Sequence, residues 1–472
     1  MNRWSQPNGY RDVLTIGLPL VISMGSTTVM QFTDRIFLGN YSLEAIAAAT
    51  PAGIASFLFI AFFMGVGTYV NVFIAQYVGS GNLSRVGASV WQGIYFCLGS
   101  AVVLALLYFV AEPLFELAGH PPEVRRLEVI YFRVLTLGAG LAVLGPTLGS
   151  FFSGRGLTRP IMIVNVIGAA VNIPLDYALI NGVWIFPELG IAGAGLATVS
   201  ASGLISLMMI GLIFTRANDR LFAVRRNRAL DRELMGRLLK FGLPNGIQFF
   251  IDMFAIAFFI FMVGRLGKAA LAASNIVFAI DTLAFLPIIG FNIAVSTLVG
   301  QAIGRGRPDQ AMVATSSTIH IALGYMIFIA LVFILLPEHL VNLFRTRGLD
   351  QAQYQAILDT GVVLLRFVAI YTIFDAWAII YAGSLKGAGD TRFIMCSLAV
   401  VATGMIILPL YIGVELLGTG LIYAFTWLTL YVAVLASIFW LRYRQGKWQG
   451  MRVIETEPLT PPEQLDPEGA GT

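Results

Sequence analysis

Gly17-Leu18-Pro19 returns as Gly242-Leu243-Pro244, and the turn Gln76-Tyr77-Val78-Gly79-Ser80-Gly81 returns as Gln301-Ala302-Ile303-Gly304-Arg305-Gly306, both 225 residues later. Between them Gly39 matches Gly264, Ala45, Ala47 and Ala48 match Ala270, Ala272 and Ala273, and Gly65 matches Gly290. One register held across two apolar stretches and a turn is hard to produce by chance. The offset widens to 233 where Gly154, Thr158 and Arg159 match Gly387, Thr391 and Arg392, then returns to 225 at Gly193 and Gly195 against Gly418 and Gly420. The chain reads as a duplicated unit.

What the unit is made of follows from composition. Of 472 residues, 57% are hydrophobic and 12% charged, against roughly 45–50% and about 25% in soluble domains. The mean hydropathy is +0.81. Such a chain is not a soluble enzyme, a nucleic-acid binder or a disordered polypeptide. A bilayer core about 30 Å thick takes about 20 apolar residues per helix, and alternating barrel strands could not supply such runs.

Twelve runs qualify: Val13–Gly39, Thr50–Tyr77, Gly87–Val110, Phe132–Phe152, Ile161–Ile180, Ile191–Thr215, Leu239–Val263, Leu271–Val299, Thr318–Leu336, Val362–Leu385, Ile394–Val414 and Leu421–Trp440. The fold class is therefore an all-α integral membrane protein with twelve transmembrane helices in two pseudo-symmetric six-helix lobes. Residues 1–215 form the N-terminal lobe, 216–238 a basic link, 239–452 the C-terminal lobe and 453–472 a tail. Six helices separate the copies, so each starts on the same side. The lobes should be related by an axis along the membrane normal, with a site between them and a cleft open to one side.

Charge supplies orientation. The link carries Arg216, Arg220, Arg225, Arg226, Arg228, Arg232 and Arg237, followed by Lys240. With the N-terminus on the same side, 21 of the 30 Lys and Arg collect there, whereas Glu112, Glu116, Glu123 and Glu128 fall on the other. Basic loops stay in the cytoplasm, so both termini are expected inside. The tail, with Pro458, Pro461, Pro462 and Pro467 among its acids, reads as disordered. No cleavable signal peptide is expected. Cys97 and Cys396 lie in apolar runs and the three histidines lie far apart, so neither a disulfide framework nor a zinc site is read. Nor is there a P-loop, a nucleotide fingerprint or a compact Ser/His/Asp set, so no enzyme chemistry and no organic cofactor is expected.

Five acids lie inside the runs: Asp34, Asp176, Asp252, Asp281 and Asp375. A charge at mid-helix costs roughly 2.5–3.5 kcal/mol even on the lenient insertion scale. The repeat copies none of them: Asp34 aligns with Phe259, Asp252 with Thr27 and Asp281 with Ser56. Architecture would follow the duplication, so the asymmetry points to function; the competing reading is local pairing, as of Asp34 with Arg35. At about 1.5 Å per residue, Asp34, Asp176, Asn172 (one turn before Asp176) and Thr198 share the outer half of the first lobe. They form an oxygen-rich set able to hold Na⁺ or a proton. Asp252, Asp281 and Asp375 fall near the midplane of the second lobe, where Na⁺ is again a candidate.

These residues resemble the multidrug and toxic compound extrusion (MATE) transporter family over nearly the whole chain except the tail. Phe32-Thr33-Asp34-Arg35-Ile36-Phe37-Leu38-Gly39 is similar to its first-helix signature, and Gln76–Gly81 to the turn after its second helix. Asn172-Ile173-Pro174-Leu175-Asp176-Tyr177 with Gly193-Ala194-Gly195-Leu196-Ala197-Thr198 resembles its fifth and sixth helices. Two further matches resemble the NorM-like branch. One is Gly242-Leu243-Pro244 followed by Asp252, where the family usually has Glu; the other is Asp375 followed by Gly383, Lys386-Gly387 and Asp390. The resemblance implies that Asp34, Asn172, Asp176 and Thr198 form a cation or proton site and that Asp252 and Asp375 belong to a second one. Some relatives add an acid in helix 12; none is present here, and Asp281 is the candidate substitute.

The expected function is secondary antiport: export of small amphipathic, often cationic compounds against Na⁺ or H⁺, by a monomer among the lipids of a bacterial inner membrane. A lipid-linked glycan flippase of the same superfamily is the alternative; such relatives commonly have more than twelve spans or strongly basic cavities. The acidic and multiply basic loop of major-facilitator symporters is missing from Gly79–Arg85, and no repeated pore-filter segment suggests a channel.

Overall fold

The computed structural model describes residues 3–183, 185–344 and 351–455. Among the described residues twelve helices are long and apolar enough to cross a membrane. They are span 1 (Tyr10–Tyr41), span 2 (Leu43–Ser80), span 3 (Ser84–Leu117), span 4 (Pro122–Ser153), span 5 (Arg159–Asn181), span 6 (Ile191–Ile213), span 7 (Arg232–Arg265), span 8 (Lys268–Gly304), span 9 (Pro308–Leu335), span 10 (Gln353–Ala388), span 11 (Thr391–Leu416) and span 12 (Leu421–Arg444). Among the described residues there is no strand.

The spans outrun the apolar runs because polar residues extend and cap them. Ser42 alone separates spans 1 and 2, its hydroxyl accepting the Ala45 N–H at 3.0 Å. Gly81 and Gly306, matched in the repeat, take left-handed φ of +80° and +70° after spans 2 and 8, a conformation that costs glycine least. Helical structure continues through Pro19 and Pro244, the matched prolines of the repeat.

Spans 1–6 pack on one another, as do spans 7–12, and the two sets meet where span 1 crosses span 8 and span 2 crosses spans 7 and 8. One apolar core runs through both lobes at the end that carries the link and both described chain termini, joining Ile16, Tyr69, Phe73, Phe291 and Leu298. At the far end the cores are separate, one around Phe259, Val277 and Phe425, another around Leu38, Ala48 and Phe132. Among the described residues the apolar core thus joins the lobes at the link end only, and at the far end each lobe has its own.

The repeat makes this closure. Gln76 Nε2 donates to Gly387 O at 3.0 Å and, symmetrically, Gln301 Nε2 donates to Gly154 O at 2.9 Å. A methyl group on Gly79 would collide with Gln301 O, and one on Gly304 with Gln76 O. Helix backbones from the two lobes therefore touch at matched glycines, and the matched glutamines bond across the seam.

Two boundaries differ from the sequence reading. The link contains a helix, Arg216–Phe222, and its last residues already belong to span 7, because Asp231 caps that helix through the Glu233 and Leu234 N–H groups. It also lies against span 3, which donates from Trp91 Nε1 to Val224 O at 2.6 Å. The expected disordered tail does not begin at 453: Val453 and Ile454 are buried, the Val453 N–H donates to Gln76 Oε1 at 2.9 Å, and Glu455 accepts from Tyr77 and Arg85, each at 2.6 Å. Apolar Val453 and Ile454 have a socket to fill, which is why the chain stays docked. Residues 456–472 lie outside the described residues.

Candidate functional site

Two acidic clusters occupy different lobes. Spans 1 and 5 pack closely, bringing the Asp34 and Asp176 carboxyls within hydrogen-bonding reach of each other. Asp176 and Asn172 are 1% and 2% exposed. Among the described residues no N–H or O–H donor reaches Asp34 Oδ1 or either Asp176 carboxylate oxygen, and Asn172 Nδ2 finds no acceptor. The Tyr131 hydroxyl, from span 4, stands beside Asp34. Arg35 acts on Asp34 only through space; among the described residues it forms no ion pair, so it does not neutralise Asp34 as a local salt bridge. Thr198 is half-buried on span 6, and among the described residues no hydrogen bond joins its hydroxyl to the acids. Two carboxylates in contact repel one another, so buried oxygens in this arrangement suit a shared proton or a bound cation.

The three acids of the second lobe come from spans 7, 8 and 10. Asp252 accepts from Gln248 Nε2 at 3.3 Å, Asp281 accepts from the Tyr371 hydroxyl at 2.8 Å, and Asp375 interacts electrostatically with both Asp252 and Asp281. Lys386, eleven residues along span 10 from Asp375, supplies positive charge toward Asp252. Span 12, which has no acid, contributes Tyr431, which interacts with Asp252 and Asp375. Among the described residues no three His, Cys, Asp or Glu side chains converge on one point. The three aspartates thus lie within electrostatic range of one another through Asp375.

The asymmetry anticipated from the repeat is physical. At the position matching Asp34, Phe259 is 2% exposed and packs edge-on against Phe278 and Phe425 at 5.6 and 5.3 Å. One lobe is polar where the other is filled with aromatic rings.

Sequence reading missed Tyr131, Tyr371, Tyr431, Gln248 and the partnership of Lys386 with Asp252. Two had a legible signal, since Gln248 precedes Asp252 and Tyr371 precedes Asp375 by four residues, one helical turn on the same face. The others reach the acids from separate helices.

The MatE family model matches residues 19–178 and 244–412. The chain belongs to the MatE family. Its two matches begin 225 residues apart, at Pro19 and Pro244, the register of the internal repeat. This MatE protein is a multi-pass membrane transporter. It is 29% identical over 395 residues to the multidrug resistance protein PmpM of Pseudomonas aeruginosa, covering 82% of this chain and 80% of that one. It is 29% identical over 382 residues to a probable multidrug resistance protein NorM of Burkholderia pseudomallei, covering 81% of each. Among solved structures, an outward-facing multidrug resistance MATE family transporter of the MOP superfamily superposes with a TM-score of 0.84 at 20% identity, covering 94% of this chain and 98% of that one. The MatE architecture thus carries both acidic clusters on helices of separate lobes.

Proposed function

We propose that this MatE protein is a secondary antiporter in a bacterial inner membrane, with both termini cytoplasmic. It exports small amphipathic, often cationic compounds in exchange for Na⁺ or H⁺ and catalyses no covalent chemistry. The observation that carries the reading is the contact between the Asp34 and Asp176 carboxyls, buried in a lobe whose apolar core joins its partner's at one end only. The names of the PmpM and NorM relatives support the substrate class, and the twelve spans and intramembrane acids favour it over glycan flipping.

Asp34 and Asp176, with Asn172 and Tyr131 beside them, hold the coupling ion. Asp252, Asp281 and Asp375 attract the cationic part of the substrate, and Lys386 limits the net negative charge at Asp252. Loading the acids from one side and emptying them on the other alternates which end of the cleft is sealed. One charge crossing 100 mV releases about 2.3 kcal/mol, enough to sustain a roughly 40-fold gradient at about 1.4 kcal/mol per decade. The protein acts as a monomer, since each lobe carries its cluster within the chain.

The test is efflux of a fluorescent cation from proteoliposomes under separately imposed Na⁺ and H⁺ gradients. Uphill movement under one gradient and its collapse when that gradient is dissipated are expected. Transport that ignores both gradients would refute antiport, and translocation of a lipid-linked glycan instead would favour the flippase.

A further inference from the structure

A cavity of about 450 Å³ lies at the link end between span 7 and the docked chain end, lined by Arg237, Lys240, Phe241, Gly450 and Arg452–Ile454. Arg237 is bound to Glu233 at 2.8 Å within its own helix. Among the described residues Lys240 and Arg452 have no ion-pair partner; the Lys240 ammonium lies over the Phe241 ring, 5.5 Å from its centroid. The nearby carboxylate of Glu455 is already held by Tyr77 and Arg85. A second cavity of similar size, about 430 Å³, shows the contrast. Its Arg133 and Arg125 face Glu112 and Glu116 at 3.1 and 3.8 Å, so its charge is largely balanced from within. The first cavity is not balanced, and its cations come from segments more than 200 residues apart.

Its depth selects the ligand. The apolar run of span 7 starts at Leu239, so Arg237 and Lys240 straddle the level where hydrocarbon gives way to headgroups. Basic pockets between helices on the cytoplasmic side suit anionic lipid heads. We propose that this cavity binds the phosphate of an anionic phospholipid headgroup through Lys240, Arg452 and Arg237. One wall is the chain end whose Val453 N–H bonds to Gln76 Oε1, and Gln76 in turn bonds across the seam to Gly387. The cavity is complete only while that segment is docked, so lipid binding and closure of the link end favour each other, as linkage requires. The binding site stands independently of the transported compound; its effect on transport rests on the alternating-access reading.

Native mass spectrometry of the full chain, titrated with phosphatidylglycerol or phosphatidylcholine of the same acyl composition, tests the site. Phosphatidylglycerol should be retained preferentially, and Lys240→Gln with Arg452→Gln should weaken it by about 30-fold, from two basic contacts near the bilayer surface. Both side chains are exposed, so folding survives the change. Soluble glycerol phosphate at equal concentration should not displace the lipid; equal displacement would overturn the assignment to a bilayer ligand. Loss of the lipid preference in the wild type, or its retention in the double variant, would overturn the site. Hydrogen exchange of residues 447–455 should slow when phosphatidylglycerol binds, and unchanged exchange with lipid bound would overturn the coupling to closure. Neither measurement requires export, so failure of the antiport reading is read separately.

Discussion

Gly304→Ala should drive the link end open. In the closed arrangement the added methyl would lie closer than 3.0 Å to Gln76 O, where ordinary contact begins at 3.4 Å. The methyl is fixed directly to the backbone of span 8 and Gln76 O belongs to that of span 2, so relief requires the two spans to separate. That separation strains the two bonds of Gln76, to Gly387 O at 3.0 Å and from the Val453 N–H at 2.9 Å. Overpacking of this kind costs about 1–3 kcal/mol; taking about 2 kcal/mol, the open population rises about 30-fold. Thr297 is fully buried at the seam, where Asn71 Nδ2 donates to its hydroxyl at 3.2 Å. With Cys97 and Cys396 replaced by serine, a Thr297→Cys reporter should react with a soluble maleimide about 30-fold faster in Gly304→Ala, because labelling follows the open population when opening is fast. Gly99→Ala, whose methyl meets nothing within 4 Å, should leave the rate unchanged. Equal labelling of Gly304→Ala and the parent, or an equal rise in Gly99→Ala, would refute the glycine seam as the closure.

Asp34→Asn and Asp176→Asn should each abolish ion-driven uphill export in proteoliposomes; full export by both would remove the first-lobe site. Asp252→Asn and Asp375→Asn should strongly reduce export and drug resistance at equal expression, Asp281→Asn less so, and unchanged resistance in all three would make them packing residues. Tyr131→Phe removes the hydroxyl beside Asp34 without changing the core, and should alter the pH profile of export while leaving thermal stability within about 1 kcal/mol; a profile identical to wild type would deny Tyr131 a role in ion handling. Burial pushes the Glu455 carboxyl up, but the bonds from Tyr77 and Arg85 outweigh it and hold the carboxyl below its ordinary 4.5. Its contribution to docking is therefore complete above pH of about 4.5 and lost as pH falls through the lowered value. Hydrogen exchange of residues 447–455, corrected for its intrinsic pH dependence, should accelerate only on that acidic side, and acceleration between pH 6 and 8 would contradict the assignment.

The duplication, the twelve spans and their grouping were legible because a bilayer allows few solutions: each apolar run must satisfy its own backbone bonds as a helix, and a repeat in one register must fold alike twice. The five acids were legible for a related reason, since charge in such runs is costly and these escaped the duplication. Sequence could also place Asp176 and Asn172 on one face, because that is a property of one helix. It could not bring Asp34 against Asp176, set Tyr131 beside them or point Lys386 toward Asp252, for each of these depends on how separate helices cross. Nor could it foresee that the repeated glycines and glutamines, rather than the acids, would join the lobes. Gly79 and Gln301 are far apart in sequence, and backbone contact between them exists only once two helices have packed. The chain end shows the same division: its composition reads as disordered, yet Val453 and Ile454 are buried because a pocket formed by both lobes receives them.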